Sequence, residues 1–531
     1  MVVSQREIAS RIGAEILSNG GNAVDAAVAT SFALAVVLPR AGNLGGGGFM
    51  LIHLKEEGKT VAIDYRERAP LKATRDMYLD SQGNYDKTKA RFSLLSAGVP
   101  GTVAGMKYAL DNYGSLSWEE VIQPAIDLAE GFVVPHDLSS VTNSYKSRLH
   151  RNKATKEAYY KESGEAYLPG EVIKLPDLSW SLKKIRDEGP SAFYEGEIAE
   201  KIVSEMERGG GVMSMTDLAS YKVTLRKPVE GTYGDFKILS MPPSSSGGIH
   251  VIQMLNMLER STIKDMGFGS ANSIHLLSEV MKRAYADRSK YLGDTDFVEV
   301  PVKSLISKDY AKSLMKEINF VKTTPSKDVF PGNPVAYESP DTTHFSVMDS
   351  EGNAVSNTYT LNFSFGSGIT IPGTGIIMNN EMDDFSSKPG VPNAYGLIGA
   401  EANAIEPYKR PLSSMTPTII FKGDEPYLVL GSPGGSRIIS TVLQVIVNVL
   451  IHEMNIAEAV NSPRIHHQWL PDALFIEKGF SPDTLKILEE KGHTLRPSGT
   501  MGSVHAIIKH GDYFYGTADT RRPNSGAIPV D

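Results

Sequence analysis

Two stretches of this chain are apolar around their whole circumference, yet neither is long enough to cross a bilayer. Ala26 to Pro39 runs for about fourteen residues without a charge, and Ile438 to Leu450 is nearly continuous hydrocarbon. A membrane span needs roughly eighteen or more such residues. A helix that is hydrophobic on every side must be covered on every side. The chain therefore has to fold in layers, with these two helices packed between other elements.

The surrounding pattern says what the other elements are. Ile8, Ile12 and Ile16 recur at helical spacing, and Gly20-Gly21 stops that helix. Asn22, with Asp25 three residues on, is an N-cap for the first all-apolar helix. Gly45 to Gly48 then feed two strand-like runs, Phe49 to Leu54 and Val61 to Tyr65, and four glycines in a row predict that a backbone passes very close. Between Gly101 and about Ile306 helical patterns dominate. They include a capping box at Ser117-Trp118-Glu119-Glu120 and a face of Ile274, Leu277, Met281, Ala284 and Tyr285. Pro242-Pro243-Ser244-Ser245-Ser246-Gly247-Gly248 reads as an irregular loop, and the polar, proline-rich stretch Lys322 to Pro340 as a boundary. Beyond Pro340 the texture changes to hairpins. Thr343–Met348 and Ala354–Leu361 are joined by Asp349-Ser350-Glu351-Gly352-Asn353, and Thr418–Phe421 and Tyr427–Gly431 by Gly423-Asp424-Glu425-Pro426. Strands and helices in layers predict an α+β sandwich.

Composition narrows the chemistry. With 54 Lys+Arg against 62 Asp+Glu the net charge is -8, and there is no basic block to grip a nucleic-acid backbone or an anionic membrane surface. Cysteine is absent, which removes disulfides, thiolate metal sites and a cysteine nucleophile together. The Walker A, G-x-S-x-G and H-E-x-x-H patterns are missing. The adjacent His466 and His467 point apart on any regular element, so no metal is expected there. A nucleophile in this chain must be Ser, Thr, Lys or a carboxylate.

Thr342 stands where the irregular linker gives way to the first strand of the hairpin half. By itself a threonine there only starts a sheet. Within the next hundred residues, however, come Thr360-Leu361-Asn362, Asn379-Asn380-Glu381-Met382-Asp383-Asp384, Arg410-Pro411-Leu412-Ser413-Ser414-Met415-Thr416-Pro417 and Gly431-Ser432-Pro433-Gly434-Gly435-Ser436-Arg437. Together with Gly20-Gly21-Asn22-Ala23-Val24-Asp25, the Gly42 to Met50 run and Asp64-Tyr65-Arg66-Glu67-Arg68-Ala69-Pro70, these motifs resemble the γ-glutamyltransferase (glutathione hydrolase) family of N-terminal-nucleophile hydrolases, bacterial type. The resemblance runs over nearly the whole chain.

The resemblance implies a four-layer αββα sandwich in which two intertwined subunits come from one inactive precursor. Cleavage of the Asp341–Thr342 bond would leave a large subunit of residues 1–341 and a small subunit of residues 342–531. It would also free the Thr342 α-amine, whose reference pKa of roughly 7.7 to 8.0 suits a base near neutral pH. Thr342 would then be the nucleophile, with Thr360 hydrogen-bonded to its hydroxyl and the Gly434 and Gly435 amides facing the oxyanion. Arg66, Ser413 and Ser414 would hold a substrate α-carboxylate, and Asn362, Glu381 and Asp384 its α-ammonium. Tyr395 would be the aromatic residue of a lid. The donors expected are glutathione and related γ-glutamyl compounds, the acceptors water, amino acids or dipeptides, and no cofactor is needed. By resemblance the protein is periplasmic or secreted. The start Met1-Val2-Val3-Ser4-Gln5-Arg6-Glu7 lacks the pattern of an export signal, which leaves a cytosolic member as the alternative. Two competing functions are a side-chain acylase of the cephalosporin type, which Arg66, Asn362, Asp384, Ser413 and Ser414 argue against, and a non-processing binding protein, which Thr342 and Thr360 argue against.

Overall fold

A computed structural model describes residues 1–330, 342–386 and 401–530. Two antiparallel sheets lie face to face. The seven-stranded sheet runs, in spatial order, Gly526–Ile528, Val2–Ser4, Thr342–Met348, Ala354–Thr360, Gly47–Leu54, Lys59–Tyr65, Thr224–Arg226. The six-stranded sheet runs Tyr513–Ala518, His505–His510, Glu425–Gly431, Thr418–Lys422, Phe236–Ser240, Val229–Tyr233. Helices cover both outer faces, so the expected four-layer αββα sandwich is the architecture that forms. Each sheet contains strands from both sides of residue 342, so neither side of a cut there would hold a complete sheet.

The two all-apolar helices take the places their composition demands. In Ala23–Val37 every residue is buried, and the helix lies between the seven-stranded sheet and the helices Glu7–Ser18, Thr102–Tyr113 and Trp118–Glu130. Its N-terminus carries the predicted box: the Asn22 side chain accepts from Val24 and Asp25 amides while Asp25 accepts from the Asn22 amide. Arg437–Leu450 is buried from Ile438 to Val449, against Gly247–Leu258 and the strand Glu425–Gly431. No helix among the described residues is long and apolar enough to cross a membrane.

Side-chain alternation divides the central hairpin between two environments. Phe345, Val347, Val355 and Tyr359 enter the core beneath the helices. His344, Ser346, Ser356 and Thr358 face the second sheet, and there the serines tie the layers together. Ser346 Oγ donates to His505 O at 3.0 Å, and Ser356 Oγ to Leu430 O at 3.1 Å. Thr342 and Thr360 have the parity of this inner, polar face.

The middle of the chain is helix-rich, as its pattern predicts, and it also contributes the strands Thr224–Arg226, Val229–Tyr233 and Phe236–Ser240, which the pattern does not show. They are three to five residues long, lie at or next to sheet edges and are half exposed, so their period-two signal is weak beside the long helices. The helix Ala271–Tyr291 buries the expected face of Ile274, Leu277, Met281, Ala284 and Tyr285, but its burial does not stop there. It is buried almost all round, Glu279, Lys282, Arg283, Asp287 and Arg288 included. A charged residue in a helical pattern reads as a solvent face, whereas here each charge meets a partner from elsewhere in the chain.

Candidate active site

The tight turns of the hairpins lie at one edge of the sandwich and the open ends at the other. The five-residue turn after Met348 sets the register so that Thr342 pairs across the strands with Thr360. Residues eighteen apart in sequence thereby become cross-strand neighbours. On the far side of Thr360 runs the glycine-rich strand. Gly47 pairs with Thr360, and a Cβ on Gly46 would stand 2.1 Å from Thr360 O, one on Gly48 2.4 Å from Thr358 O. The close backbone predicted from four glycines is therefore the strand that carries Thr360. Asn43 pins the same point, donating to Thr360 O at 2.9 Å while accepting from the Gly46 amide at 2.9 Å.

The chain leaving Thr360 turns sharply at Asn362, which has φ +73°. Asn tolerates this region better than most side chains, and the Asn362 side-chain amide is held by Asn380 O at 3.0 Å. That contact brings the short turn Glu381–Asp384 over the strand ends. Asn379 anchors the turn, bonding Gly45 O and Gly98 O through its Nδ2 and the Gly98 and Glu381 amides through its Oδ1.

Arg66 follows directly on the strand Lys59–Tyr65 and is fully buried. Its guanidinium donates to Glu381 and, at 2.6 Å, to Asp384, with Glu67 3.5 Å away. Burial lowers the basicity of such a group, but Glu381, Glu67 and Asp384 raise it overall, so Arg66 stays charged. Burial pushes the Glu67 carboxyl up to about 7, against the pull of Arg66. Behind the arginine, Asp64 accepts from the Arg66 amide and from Arg226, and Tyr221 donates to Arg66 O.

Ser413 and Ser414 are held by the loop Pro242–Gly248. Ser246 N and Oγ both donate to Ser413 O at 2.8 Å, and the Ser413 amide donates to Ser244 O. Arg288, from the buried helix, donates to Ser246 Oγ and Ser414 Oγ. Gly434 and Gly435 have φ +138° and +58°, a region open to glycine, and lead into the N-terminus of the helix Arg437–Leu450. Among the described residues neither glycine amide has an acceptor, so both are available to a negative charge.

These pieces enclose a narrow cleft lined by Arg66, Thr342, Thr360, Asn362, Glu381, Asp384, Ser413, Ser414, Met415, Gly435 and Ile438. Gly434 lies one residue behind the lining, and Asp341 and Tyr395 fall outside the described residues. Arg288, Ser246, Asn379 and Met415 are additions that sequence reasoning missed; the only signal was the Pro-Pro-Ser-Ser-Ser-Gly-Gly loop, read as irregular. Asp383, adjacent to the site, is buried as an acceptor for Tyr85 and Arg91. Among the described residues no histidine lines the cleft. His344 is kept neutral by burial and by His505, and the neighbours His466 and His467 part as expected, one to Ser440 and Gln468 and the other toward Asp472. Among the described residues there is no cluster of three or more His, Asp or Glu that could hold a metal ion. The arrangement suits acyl transfer from a hydroxyl to an amine or water, on a substrate that carries both signs of charge.

Comparison with known proteins agrees with this chemistry. The profile of the family described as Gamma-glutamyltranspeptidase matches residues 9–528. The glutathione hydrolase proenzyme of Escherichia coli (strain K12) is 53% identical over 523 residues, 98% of this chain and 90% of that one. The crystal structure of Helicobacter pylori gamma-glutamyltranspeptidase is 46% identical with a TM-score of 0.60, covering 61% of this chain and 93% of that one. The cephalosporin acylase from Bacillus halodurans superposes with a TM-score of 0.86 at 26% identity, over 99% of this chain and 94% of the acylase.

Proposed function

The chain belongs to the γ-glutamyltranspeptidase family, and on that premise we propose that Thr342 is the nucleophile of an autoprocessing γ-glutamyl transferase and hydrolase that acts on glutathione. In the precursor, Thr342 Oγ attacks the Asp341 carbonyl carbon. The Asp341–Thr342 C–N bond breaks, an ester forms, and the hydroxyl proton passes to the departing nitrogen. Water then hydrolyses the ester, leaving an Asp341 carboxylate and a Thr342 with a free amine and a free hydroxyl. The large subunit is residues 1–341 and the small subunit 342–531.

In turnover the amine takes the hydroxyl proton as Oγ adds to the γ-carbonyl of the donor. The Gly434 and Gly435 amides receive the oxyanion, and the amine returns the proton to the leaving amine. Thr360 orients the attacking hydroxyl. The γ-glutamyl ester on Thr342 is released by water or by the amine of an amino acid or dipeptide.

The observation that carries the substrate assignment is the buried Arg66 pair with Glu381 and Asp384, open to the cleft. An uncompensated charge at such depth is costly. A ligand that carries one carboxylate and one ammonium on the same carbon can divide this pair without changing the net charge. Its carboxylate takes over an edge of Arg66 beside Ser413 and Ser414, and its ammonium takes the released carboxylates beside Asn362. The end of a γ-glutamyl group has that composition, whereas an acyl chain lacking the ammonium would strand Glu381 and Asp384. This favours a γ-glutamyl donor over the substrate of a cephalosporin acylase. Location in the periplasm or medium is part of the same proposal. A chain without cysteine suits an oxidising compartment, and cell fractionation tests it.

The deciding experiment is an intact-mass spectrum of the denatured protein. Scaled from 57.7 kDa by residue number, the two pieces weigh about 37 and about 21 kDa. Thr342→Ala is expected to remain one chain and to release no anilide from a γ-glutamyl anilide. Normal turnover by that variant would refute the mechanism.

A further inference from the structure

We propose that Arg288 is a positioning residue for substrate binding. It fixes the Ser414 hydroxyl as a hydrogen-bond donor aimed at the donor's carboxylate and, through Ser246, holds the Ser413 backbone so that the Ser413 hydroxyl stands beside it. The inference rests on the γ-glutamyl reading of the cleft and adds to it a residue that lies behind the lining.

A serine hydroxyl has one proton to give and lone pairs to receive. Where an internal donor already occupies the oxygen, the proton must go elsewhere. Arg288 Nη2 donates to Ser414 Oγ at 3.0 Å, and Arg288 Nε to Ser246 Oγ at 2.8 Å. Ser246 spends its own proton on Ser413 O, also at 2.8 Å. The Met415 amide donates to Ser413 Oγ at 3.1 Å. Both cleft serines are thus acceptors toward the protein. Among the described residues neither has an acceptor for its proton, and both line the cleft. Two hydroxyl protons directed into one small space make a receptor for an anion and a poor one for a cation. Arg288 adds a second guanidinium, only 3% exposed, behind the same end of the pocket. It comes within hydrogen-bonding distance of Ser414 but is not itself among the lining residues, so it acts through the serine.

The test is a double-mutant cycle with a substrate-binding readout. Arg288→Met, Ser246→Ala, Ser414→Ala and the Arg288→Met/Ser414→Ala double variant are first checked by intact mass for self-cleavage, which reports a native active-site edge. With a γ-glutamyl p-nitroanilide, Arg288→Met is expected to lower kcat/KM roughly tenfold, almost wholly through KM. In the Ser414→Ala background the same change is expected to cost less than about twofold, because the group it acts through is gone. Ser246→Ala, a small deletion, is expected to raise KM about threefold. Calorimetric affinity for L-glutamate should fall in parallel. An unchanged KM in Arg288→Met, or a loss of equal size with and without Ser414, would overturn the proposal. If Arg288→Met does not self-cleave, Ser246→Ala decides, and an unchanged KM there overturns it as well. Failure of the wild-type enzyme to turn over the anilide would instead remove the γ-glutamyl reading, an outcome visible before any variant is compared.

Discussion

Substituting Gly46 by alanine isolates the link between the glycine run and catalysis. Gly46 does not have a positive φ, so alanine is acceptable to its backbone and the whole effect comes from crowding. The added Cβ would meet Thr360 O at 2.1 Å and Asn43 Oδ1 at 2.7 Å, where side chains essentially never approach closer than 3.0 Å. The nearest atom is backbone in the middle of a sheet and cannot swing aside. The strand Ala354–Thr360 must therefore retreat by roughly 1 Å, a misplacement of the size that costs a catalytic array about a hundredfold. The overpacking itself should destabilise by about 1 to 3 kcal/mol. Because Thr360 is the register partner of Thr342, the displacement falls on the pair that must meet for self-cleavage. We expect Gly46→Ala to accumulate uncut chain, measured by intact mass over hours after purification, with the cleavage rate down about a hundredfold and a lower urea midpoint. Gly58→Ala is the control. Gly58 has φ +58° with nothing within 4 Å of a Cβ, so it should lose about 1 kcal/mol to backbone strain and cleave at the normal rate. Wild-type cleavage and an unchanged midpoint in Gly46→Ala would refute the reasoning.

Three further outcomes follow from the same contacts. Asp384→Asn removes a charged acceptor 2.6 Å from Arg66 but leaves Thr342 and Thr360 alone. It should self-cleave normally and raise KM for γ-glutamyl anilides by about ten- to a hundredfold, the worth of a charged hydrogen bond. Burial raises the Glu279 carboxyl, but Lys282, Thr323 and Thr324 outweigh it and hold the group at about 2, below its ordinary 4.5. A depressed carboxylate stabilises the fold above its unfolded pKa. About 3 kcal/mol should therefore be present above pH 4.5 and disappear as pH falls toward 2, and Lys282→Met should lose about 1 to 3 kcal/mol at pH 7, the worth of one charged hydrogen bond, since Arg283 stays paired with Glu279 at 2.9 Å, both read from urea midpoints. Trp469 Nε1 donates to Ser326 O at 2.7 Å and Val329 O at 3.1 Å, holding the segment that leads to the cleavage linker. Trp469→Phe should cost about 1 to 3 kcal/mol and open 326–329 to limited proteolysis, detected as new fragments.

What could be read in advance depended on how far apart the interacting residues lie. The all-apolar helices, the Asn22 and Ser117 boxes and the two hairpins are settled by neighbours in sequence, and they stand where the pattern puts them. The closeness of Thr342 and Thr360 is implied by resemblance, and the turn after Met348 is what sets their pairing. Arg66 is different. Next to Glu67 it reads as half of a surface ion pair, and the fold adds Glu381 and Asp384, 315 and 318 residues away, to Glu67 in keeping it charged in the interior. Family resemblance named these residues but not their pairing. Arg288 lay beyond both routes. A lone arginine in a helical pattern predicts solvent, and its partner Ser414 is 126 residues on.

Yet these distant residues arrive at one place for a reason that is itself topological. The turns Lys55–Gly58, Asp349–Asn353, Gly423–Asp424 and Gly234–Asp235 close the hairpins at one edge of the sandwich. Antiparallel pairing then sends the open ends of these hairpins to the opposite edge. Arg66 follows one such end at Tyr65, Asn362 follows Thr360, and Ser246 follows Ser240. Ser413 and Ser414 precede Thr418, Gly434 and Gly435 follow Gly431, and Thr342 is itself a strand's first residue. Rigid strands deliver the loops, and the loops carry the chemistry. The site thus depends on register: a slip of one residue in the strand Thr342–Met348 would turn Thr342 to the helix face, where Thr343 now points, and bring the wrong side chain to the cleft. The polar sheet interface guards against that slip. Ser346 and Ser356 would lose their acceptors on the second sheet, and Phe345 would be driven among buried polar groups, so the same alternation that assembles the core holds the proposed nucleophile in position.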